Sequence, residues 1–482
     1  MLIVATSETP GLHWLYIQYY RFALELVNRF LGREGDILAL MVRASDNSGT
    51  NEDASRAAQP SPRPGISDID LTVIVRVHSI PERLLFLERF WRRYAQLRWV
   101  APMLVEVDIL TLDEFADSLR LACAPMQSRK TFQIILNRLS PNEQRVLQDA
   151  MTTKDRQANI HDHRRNLIMR YHYFVLPHLF QTEQPIGIST ALLEHSLEKM
   201  ADQLELSDGR SQFSDFDAMR KFHELLPLLR DYLSGDTSVD AVPAKNRVPD
   251  LEILASQGVH EEDPIATELQ SLLKQTMDPW ELEKLSILFW RSPADNESFS
   301  LGFLVPDNAS EEQLHKAISS IRRFCSAFPP VLADRFGCDP NLFGQEKGWP
   351  LLLPISLWPI WCKTYPLEAA ALKQGGCVIL GDEPVACPEP ETSDFLQSAS
   401  IQYGIWLISR NDWFKEEEPR RTVLFESMSD HIQRYRHALT EPQPMPSAER
   451  SAERKASFED VYRTSGLQLD CLRDTITTSR SH

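Results

Sequence analysis

Two aspartates at the start of an apolar run constrain this chain more than any other feature. The stretch from Ser67 to Val75 reads SDIDLTVIV, and its β-branched residues predict a buried strand. Because successive side chains on a strand point to opposite faces, Asp68 and Asp70 share one face and the apolar residues between and after them share the other. Two adjacent carboxylates repel each other in a protein interior, and a divalent cation between them relieves that repulsion. The alternative is ordinary turn chemistry, in which Ser and Asp bond to the backbone before a strand.

Composition narrows the class of protein. A chain of 482 residues suggests about two to four domains, and its net charge of −17 argues against extended nucleic-acid binding. The seven cysteines form no Cys-x-x-Cys pair, which argues against a zinc site or a disulfide framework and favours reduced thiols. The N-terminus lacks a signal-peptide pattern, and the longest apolar stretch, 349–361, is too short and proline-rich to span a bilayer. We therefore expect a cytoplasmic protein without a membrane partner.

The elements around the aspartates follow a definite order. Apolar periodicity predicts a helix over 12–32 and a strand over 37–42 that leads into Arg43-Ala44-Ser45. A long polar loop with three prolines precedes the aspartate strand. A helix over 80–97 and a strand over 103–110 come next, and alternation places Glu106 and Asp108 on one face of that second strand.

This order resembles the DNA polymerase β-like nucleotidyltransferase superfamily. In that family a strand ending in Gly-Ser precedes an Asp-x-Asp strand, and a third acidic residue lies on a neighbouring strand. The resemblance covers about residues 1–150 and matches Asp68, Asp70 and Asp108 to the three catalytic, metal-binding carboxylates, with Glu106 in reserve as third ligand. Two features depart from the family pattern: Ala44-Ser45 replaces Gly-Ser, and the connection to Asp68 is longer than usual.

The resemblance implies a metal-dependent nucleotidyltransferase. Asp68, Asp70 and Asp108 would hold two Mg²⁺ ions, and the nucleoside triphosphate, ATP by family frequency, would donate AMP to a hydroxyl of a small-molecule, protein or RNA acceptor with release of pyrophosphate. Ser45 would bond a phosphate oxygen. Arg43 is either a phosphate partner or an ordinary surface arginine. The alternative function is a catalytically weak, nucleotide-binding regulatory protein, since Ala44 replaces the glycine that lets the backbone approach phosphate closely.

The segment 151–234 is expected to be a helical domain that closes over substrate. An alternative is a HEPN-type ribonuclease, because Arg165 and His172 loosely resemble the Arg-x(4–6)-His signature of that family. Residues 235–280 are expected to form a linker and a helix.

The segment 281–390 repeats the pattern of the first 150 residues. Its strands and helices follow in the same order, but Ser298, Ser300 and Pro354 stand at the expected aspartate positions. We interpret it as a degenerate, nucleotidyltransferase-like copy, and an unrelated α/β domain is the alternative.

The predicted fold class is accordingly α/β, of the α+β nucleotidyltransferase type with a short mixed sheet and helices, followed by a helical domain and a second α/β domain of the same kind. The predicted domains are 1–150, 151–234, 235–280 and 281–390, then a helical segment over 391–440 and a flexible tail over 441–482. Within this tail we expect a short helix over 456–475, which either docks or stays loose.

Overall fold

Two mixed four-stranded sheets and a separate two-stranded sheet organise the computed structural model of the chain. The structure describes residues 10–45, 69–77, 79–121, 130–153, 167–180, 193–194, 196–197, 200, 218–234, 253–254, 263–277, 285–291, 298–333, 335–336, 349–380, 385–386, 388–440 and 458–481. The mixed α/β class expected from the sequence is therefore confirmed.

The first unit comprises one four-stranded sheet and the helices between its strands. Its elements are α1 (Pro10–Leu31), β1 (Ile37–Ser45), β2 (Ile69–Val75), α2 (Ile80–Val100), β3 (Leu104–Leu110), α3 (Leu112–Leu121), β4 (Lys130–Asn137) and α4 (Pro141–Thr153). The strand order is β3-β2-β1-β4. Strand β1 runs antiparallel to β2 and β4, whereas β2 and β3 are parallel.

The second unit has the same arrangement. Its elements are α7 (Pro264–Thr276), β6 (Ser286–Arg291), β7 (Phe299–Val305), α8 (Glu311–Ser326), α9 (Pro330–Ala333), β8 (Leu351–Pro354), α10 (Trp358–Thr364), α11 (Pro366–Gly375) and β9 (Cys377–Leu380). The order is β8-β7-β6-β9, with β6 antiparallel to β7 and β9 and with β7 parallel to β8. Equal order and equal directions favour a repeated arrangement over an unrelated α/β domain.

Details of the two units also correspond. Strands β2 and β7 show the same sequence of buried and half-buried positions. A serine hydroxyl caps the helix that follows each strand: Ser79 accepts from the backbone N–H of Glu82, and Ser310 accepts from that of Gln313. Each cap satisfies one of the N–H groups that a helix start leaves without a partner.

Other helices lie between the units in sequence and after the second one. The middle helices are a π-helical turn (Tyr171–Val175), α5 (Leu176–Phe180) and α6 (Ala218–Ser234). The C-terminal helices are α12 (Thr392–Asp412), a 3₁₀ turn (Trp413–Lys415), α13 (Glu418–Thr440) and α14 (Phe458–Ser481). The two-stranded sheet pairs β5 (Ile253–Leu254) with β10 (Val385–Ala386).

Each set of helices packs on the unit that it does not directly follow in sequence. The middle helices share a hydrophobic core with the second sheet, and Tyr171 Oη donates to the carbonyl of Leu352 at 2.6 Å. The C-terminal helices share a core with the first sheet, and Asn411 Nδ2 donates to the carbonyl of Ile109 at 2.6 Å. Helix α12 contributes to both cores, through Ile405 to one and through neighbouring residues to the other, so the two halves of the chain exchange their helices.

Within the tail expected to be flexible, residues 458–481 are helical, close to the short helix predicted over 456–475. They form α14, whose buried stripe includes Tyr462, Leu469, Leu472 and Ile476 in the core of the first unit. Apolar residues at helical spacing dock this segment, although polar composition around it suggested otherwise. Residues 441–457 lie outside the described part of the chain.

Among the described helices, none is both long and apolar enough to cross a bilayer.

Candidate functional site

Asp70 and Asp108 lie on one face of two neighbouring parallel strands. The register pairs Thr72 with Asp108, and the Thr72 hydroxyl donates to Asp108 Oδ2 at 3.4 Å. Asp70 precedes Thr72 by two positions on β2, so alternation puts both on the face that Asp108 occupies on β3. Asp108 is 4% exposed and Thr72 is 1% exposed, whereas Asp70 is half-buried. This part of the predicted constellation is therefore assembled within the first sheet.

The backbone brings the C-terminal end of β1 beside the start of β2, where Asp70 lies. Val42 pairs with Leu71, and the antiparallel direction takes the following residues of β1 along the start of β2. The last residue of β1, Ser45, pairs with Lys130 of β4. Asp68 and the side chains of Arg43 and Ser45 lie outside the described part of the chain, so their predicted roles stay predictions.

A β-bulge adjoins Asp70. Ile69 pairs with Leu104 and Leu71 with Val107, so two residues of β3 stand opposite one residue of β2. Bulges of this kind re-aim side chains and are over-represented next to active sites. Glu106, the reserve ligand, belongs to this bulge, and its side chain lies outside the described part of the chain.

A buried charge cluster holds the far end of β3. Both guanidinium N–H₂ groups of Arg83 donate to the Glu114 carboxylate at 2.7 Å, and Arg410 of α12 donates to the same carboxylate. The backbone N–H of Thr111, directly after β3, donates to Glu114 Oε2 at 2.9 Å. Burial alone would raise the pKa of Glu114, but the attraction of Arg83 and Arg410 outweighs it and lowers that pKa to about 2.

Asn411 extends this cluster to the sheet edge. Its side-chain N–H₂ donates to the Ile109 carbonyl of β3, and its Oδ1 accepts from Tyr462 Oη at 3.0 Å. Its own carbonyl accepts from Trp91 Nε1 at 2.7 Å. Because β3 is an edge strand, the Ile109 carbonyl would otherwise be open to pairing with another chain, and Asn411 supplies its donor. The cluster thereby fixes the strand that carries Asp108 to α2, α12 and α14.

Sequence reasoning missed this cluster. The Thr-x-x-Glu pattern from Thr111 to Glu114 is a capping box that the sequence displays, and Glu114 N–H does donate to Thr111 Oγ1. Its arginine partner on α12 comes 296 residues later, and no local pattern links the two.

The second unit has no carboxylate at the positions equivalent to Asp70 and Asp108. Its register pairs Gly302 with Leu351, just as Thr72 pairs with Asp108, so Leu351 is the structural counterpart of Asp108. The expectation that Pro354 holds this position is wrong, because Pro354 pairs with Val305 at the very end of β7. Ser300 corresponds to Asp70 by the same register.

Tryptophan fills the equivalent face of the second sheet. Trp290 pairs with Ser300, and a Cβ atom at Gly302 would lie 3.3 Å from its ring. The Trp290 N–H donates to Glu368, and the stacked rings of Trp358 and Trp361 lie beside it, with centroids of Trp290 and Trp361 5.6 Å apart. The face is therefore closed by indole rings instead of being lined with ligands.

The ribonuclease alternative finds little support in the described half of its pair. His172 is half-buried, with its ring centroid 5.3 Å from that of Tyr365 and 6.1 Å from that of Trp349. Desolvation lowers the pKa of His172 to about 3, so the imidazole is neutral at neutral pH and packs against aromatic rings. Arg165 lies outside the described part of the chain.

Neither metal-binding groups nor comparison with known proteins assigns a function to the chain. Within the described ranges, no group of three or more His, Cys, Asp or Glu side chains could hold a metal ion, and the expected trio includes Asp68, which lies outside those ranges. Comparison of the chain with protein-family models, with curated proteins and with solved structures finds no match. The feature of the described residues that bears on function is the geometry of the first sheet.

Proposed function

We propose that the first unit transfers a nucleoside monophosphate, AMP from ATP, to an acceptor hydroxyl and releases pyrophosphate. The supporting observation is the placement of Asp70 and Asp108 on one face of adjacent strands, with the Asp108 carboxylate buried and bonded to Thr72. The family resemblance stated above suggests the reaction, the metal and the nucleotide, and the acceptor is a small molecule, a protein side chain or an RNA end.

The donor set fits Mg²⁺. Carboxylate oxygens are the ligands that this hard cation prefers, and a buried carboxylate near a second one is costly without a compensating cation. Asp70 and Asp108 would bind metal together with Asp68. When bound, two Mg²⁺ ions neutralise the triphosphate charge and make the acceptor hydroxyl more acidic.

The protein's own residues position the reacting groups and accept the proton. Thr72 orients Asp108 through its hydroxyl, and Asp108 accepts the proton that the acceptor hydroxyl loses. The hydroxyl oxygen forms a bond to the α-phosphorus while the bond from that phosphorus to pyrophosphate breaks in line. The end of β1, with Arg43 and Ser45, is the segment expected to bind phosphate. The Glu114 cluster and Asn411 hold β3 in place during this step.

Label transfer from α-phosphate-labelled ATP tests the proposal. Purified full-length protein, Mg²⁺ and a lysate of acceptors are compared with the same mixture containing EDTA, and with Asp70→Asn and Asp108→Asn proteins. We expect labelled acceptor and pyrophosphate from the wild type only, with a loss of about 10³-fold in either variant.

Ser300→Asn, at the equivalent position of the second unit, is the matched control and should leave label transfer unchanged. Transfer that survives Asp70→Asn would contradict the proposal. Nucleotide binding by the wild type without pyrophosphate release, measured by calorimetry, would favour the regulatory alternative instead.

A further inference from the structure

Helix α1 carries two apolar stripes, and only one of them faces the core. Tyr20, Ala23, Val27 and Leu31 are buried in the first unit. The second stripe contains Leu12, Leu15, Tyr19 and Phe22, of which Leu15 is 53% and Phe22 is 49% exposed. A surface helix of a single globular unit needs one apolar stripe, so the second one requires a different explanation.

The spacing of the exposed stripe is that of a helix-packing seam. Its four members follow steps of three, four and three residues, which is the a/d pattern of a heptad repeat. This 3.5-residue period keeps apolar side chains along one line of a neighbouring helix. The pattern therefore indicates a second helix with the same repeat.

The end of α2 widens the stripe into a patch. The Tyr19 hydroxyl donates to the carbonyl of Val100, which brings the C-terminal end of α2 beside the seam. Trp99 is 91% exposed there. An exposed tryptophan next to a leucine seam is a characteristic anchor of protein interfaces.

The size of this patch suits association of two copies. At about 200 Å² for an aromatic side chain, the exposed fractions of Tyr19, Phe22 and Trp99 correspond to about 350 Å² per chain. A symmetric pair then buries about 700 Å² of aromatic surface, and the exposed parts of Leu12 and Leu15 bring the total close to the roughly 1,000 Å² expected of a specific interface.

Charge also favours a second copy at this helix. The chain carries a net charge of −17, so two copies repel each other over most of their surface. Helix α1 contains Arg21, Arg29 and only one acidic residue, Glu25. Its apolar seam is thus a part of the first unit where close approach of two copies meets little repulsion.

We infer that the protein forms a symmetric homodimer in which the α1 seams of two copies pack against each other, with Trp99 at the edge of the interface. Such an interface uses the same patch on both partners, as two-fold symmetry requires. The inference is independent of the chemistry proposed for Asp70 and Asp108.

Light scattering and sedimentation of the full-length chain test it. We expect the wild type at tens of micromolar to have twice the chain mass of 55.3 kDa. The double variant Leu15→Glu/Phe22→Glu should be monomeric, with a dissociation constant raised at least about 100-fold. Leu467→Glu, which changes a 61% exposed leucine on α14, is the matched control and should remain dimeric.

Trp99→Ser removes a side chain that is almost wholly exposed, so it weakens the dimer without disturbing the core, and circular dichroism checks the fold of every variant. A wild-type monomer, or a dimer that survives Leu15→Glu/Phe22→Glu, overturns the inference. So does a monomer that instead binds phosphatidylcholine/phosphatidylglycerol vesicles through α1.

Discussion

The first and second units share one strand arrangement and differ in what lies on one face of the sheet. At three equivalent positions the first unit has Asp70, Thr72 and Asp108, and the second has Ser300, Gly302 and Leu351. Strand order and direction therefore survive complete replacement of the polar set. Apolar alternation therefore determines the strand arrangement, while a few side chains determine whether a face of the sheet can bind ligands.

The second unit also compensates for what it lacks. Where the first sheet carries Arg43 on β1, the second carries the buried Trp290, which packs over Gly302. Phe299 bridges Phe336 and Gly302 pairs with Leu351, so the two partners lie 15 positions apart in sequence, whereas the equivalent partners Leu104 and Asp108 lie 4 positions apart. A face filled with indole rings is suited to packing.

Exchanging the third position between the units gives the largest expected effect. Leu351→Asp places a carboxylate in a tryptophan-lined core and should destabilise the protein by about 4 kcal/mol or more. Asp108→Leu should cost less, about 1–3 kcal/mol, because the buried Thr72 hydroxyl loses its acceptor, yet it should abolish label transfer. Urea unfolding measures stability and the label-transfer assay measures activity. An equal loss of stability in both variants would contradict the expected difference between the two sheets.

Elements of the first unit were predictable because each strand and helix shows its own period. Alternation of apolar residues predicts the strand at Asp70, and apolar residues at 3.6-residue spacing predict helix α2. Identification of Ser300 as the counterpart of Asp70 also followed from pattern. Leu351 was missed because the strand register, which the sequence does not display, decides which residue is the counterpart of Asp108.

The exchanged helices could not be predicted. The apolar stripe of α14 shows that the helix packs, but not on which unit, since any complementary apolar surface satisfies it. The link from Arg410 to Glu114 likewise depends on tertiary contact between residues that are far apart in sequence. Burial of the Asp108 carboxylate is a further property that only the assembled sheet defines.

Removing the Glu114 carboxylate of the first unit should lower the free energy of unfolding more than removing the Glu368 carboxylate of the second unit. Glu114→Gln leaves Arg83 and Arg410 buried without their counter-charge and should cost about 3–5 kcal/mol. Glu368→Gln keeps an acceptor for the Trp290 N–H and should cost about 1 kcal/mol. Chemical denaturation at pH 7 measures both, and a larger loss for Glu368→Gln would reverse the expected order.

The same carboxylate predicts an acid-sensitive first unit. The pKa of Glu114 is about 2 when folded and 4.5 ordinarily, so the unfolded chain binds the extra proton. Its stabilisation is complete above about pH 5 and is lost as pH falls toward 2, by about 3 kcal/mol in total. Unfolding free energies of wild type and Glu114→Gln should therefore converge on acidification, and a constant difference between them would contradict this.

Restoring bulk at Gly302 should have an intermediate effect. Gly302→Thr introduces at this position the residue that the first unit has, but its Cβ would meet the Trp290 ring at 3.3 Å. We expect a cost of about 1–3 kcal/mol from overpacking, and a smaller one for Gly302→Ala. Thermal melts rank the two variants, and a stabilised Gly302→Thr protein would show that the indole is not tightly seated.

The helix caps give the smallest expected difference. Ser310→Ala removes a reciprocal capping box with Gln313 and should cost about 1 kcal/mol, and Ser79→Ala, which loses one bond to Glu82 N–H, should cost somewhat less. Denaturant midpoints at constant slope measure both. A clearly larger loss at Ser79 would mean that the cap of the first unit does more than its bond suggests.

The exchange of helices has a consequence for synthesis. The core of the first unit includes Tyr462, Leu469 and Ile476, so a ribosome has synthesised both units before that core can close. Its apolar surfaces remain partly assembled while the second unit emerges, a period when aggregation competes with folding. Deletion of residues 458–481 would therefore damage the aspartate-bearing sheet before it affected the second sheet.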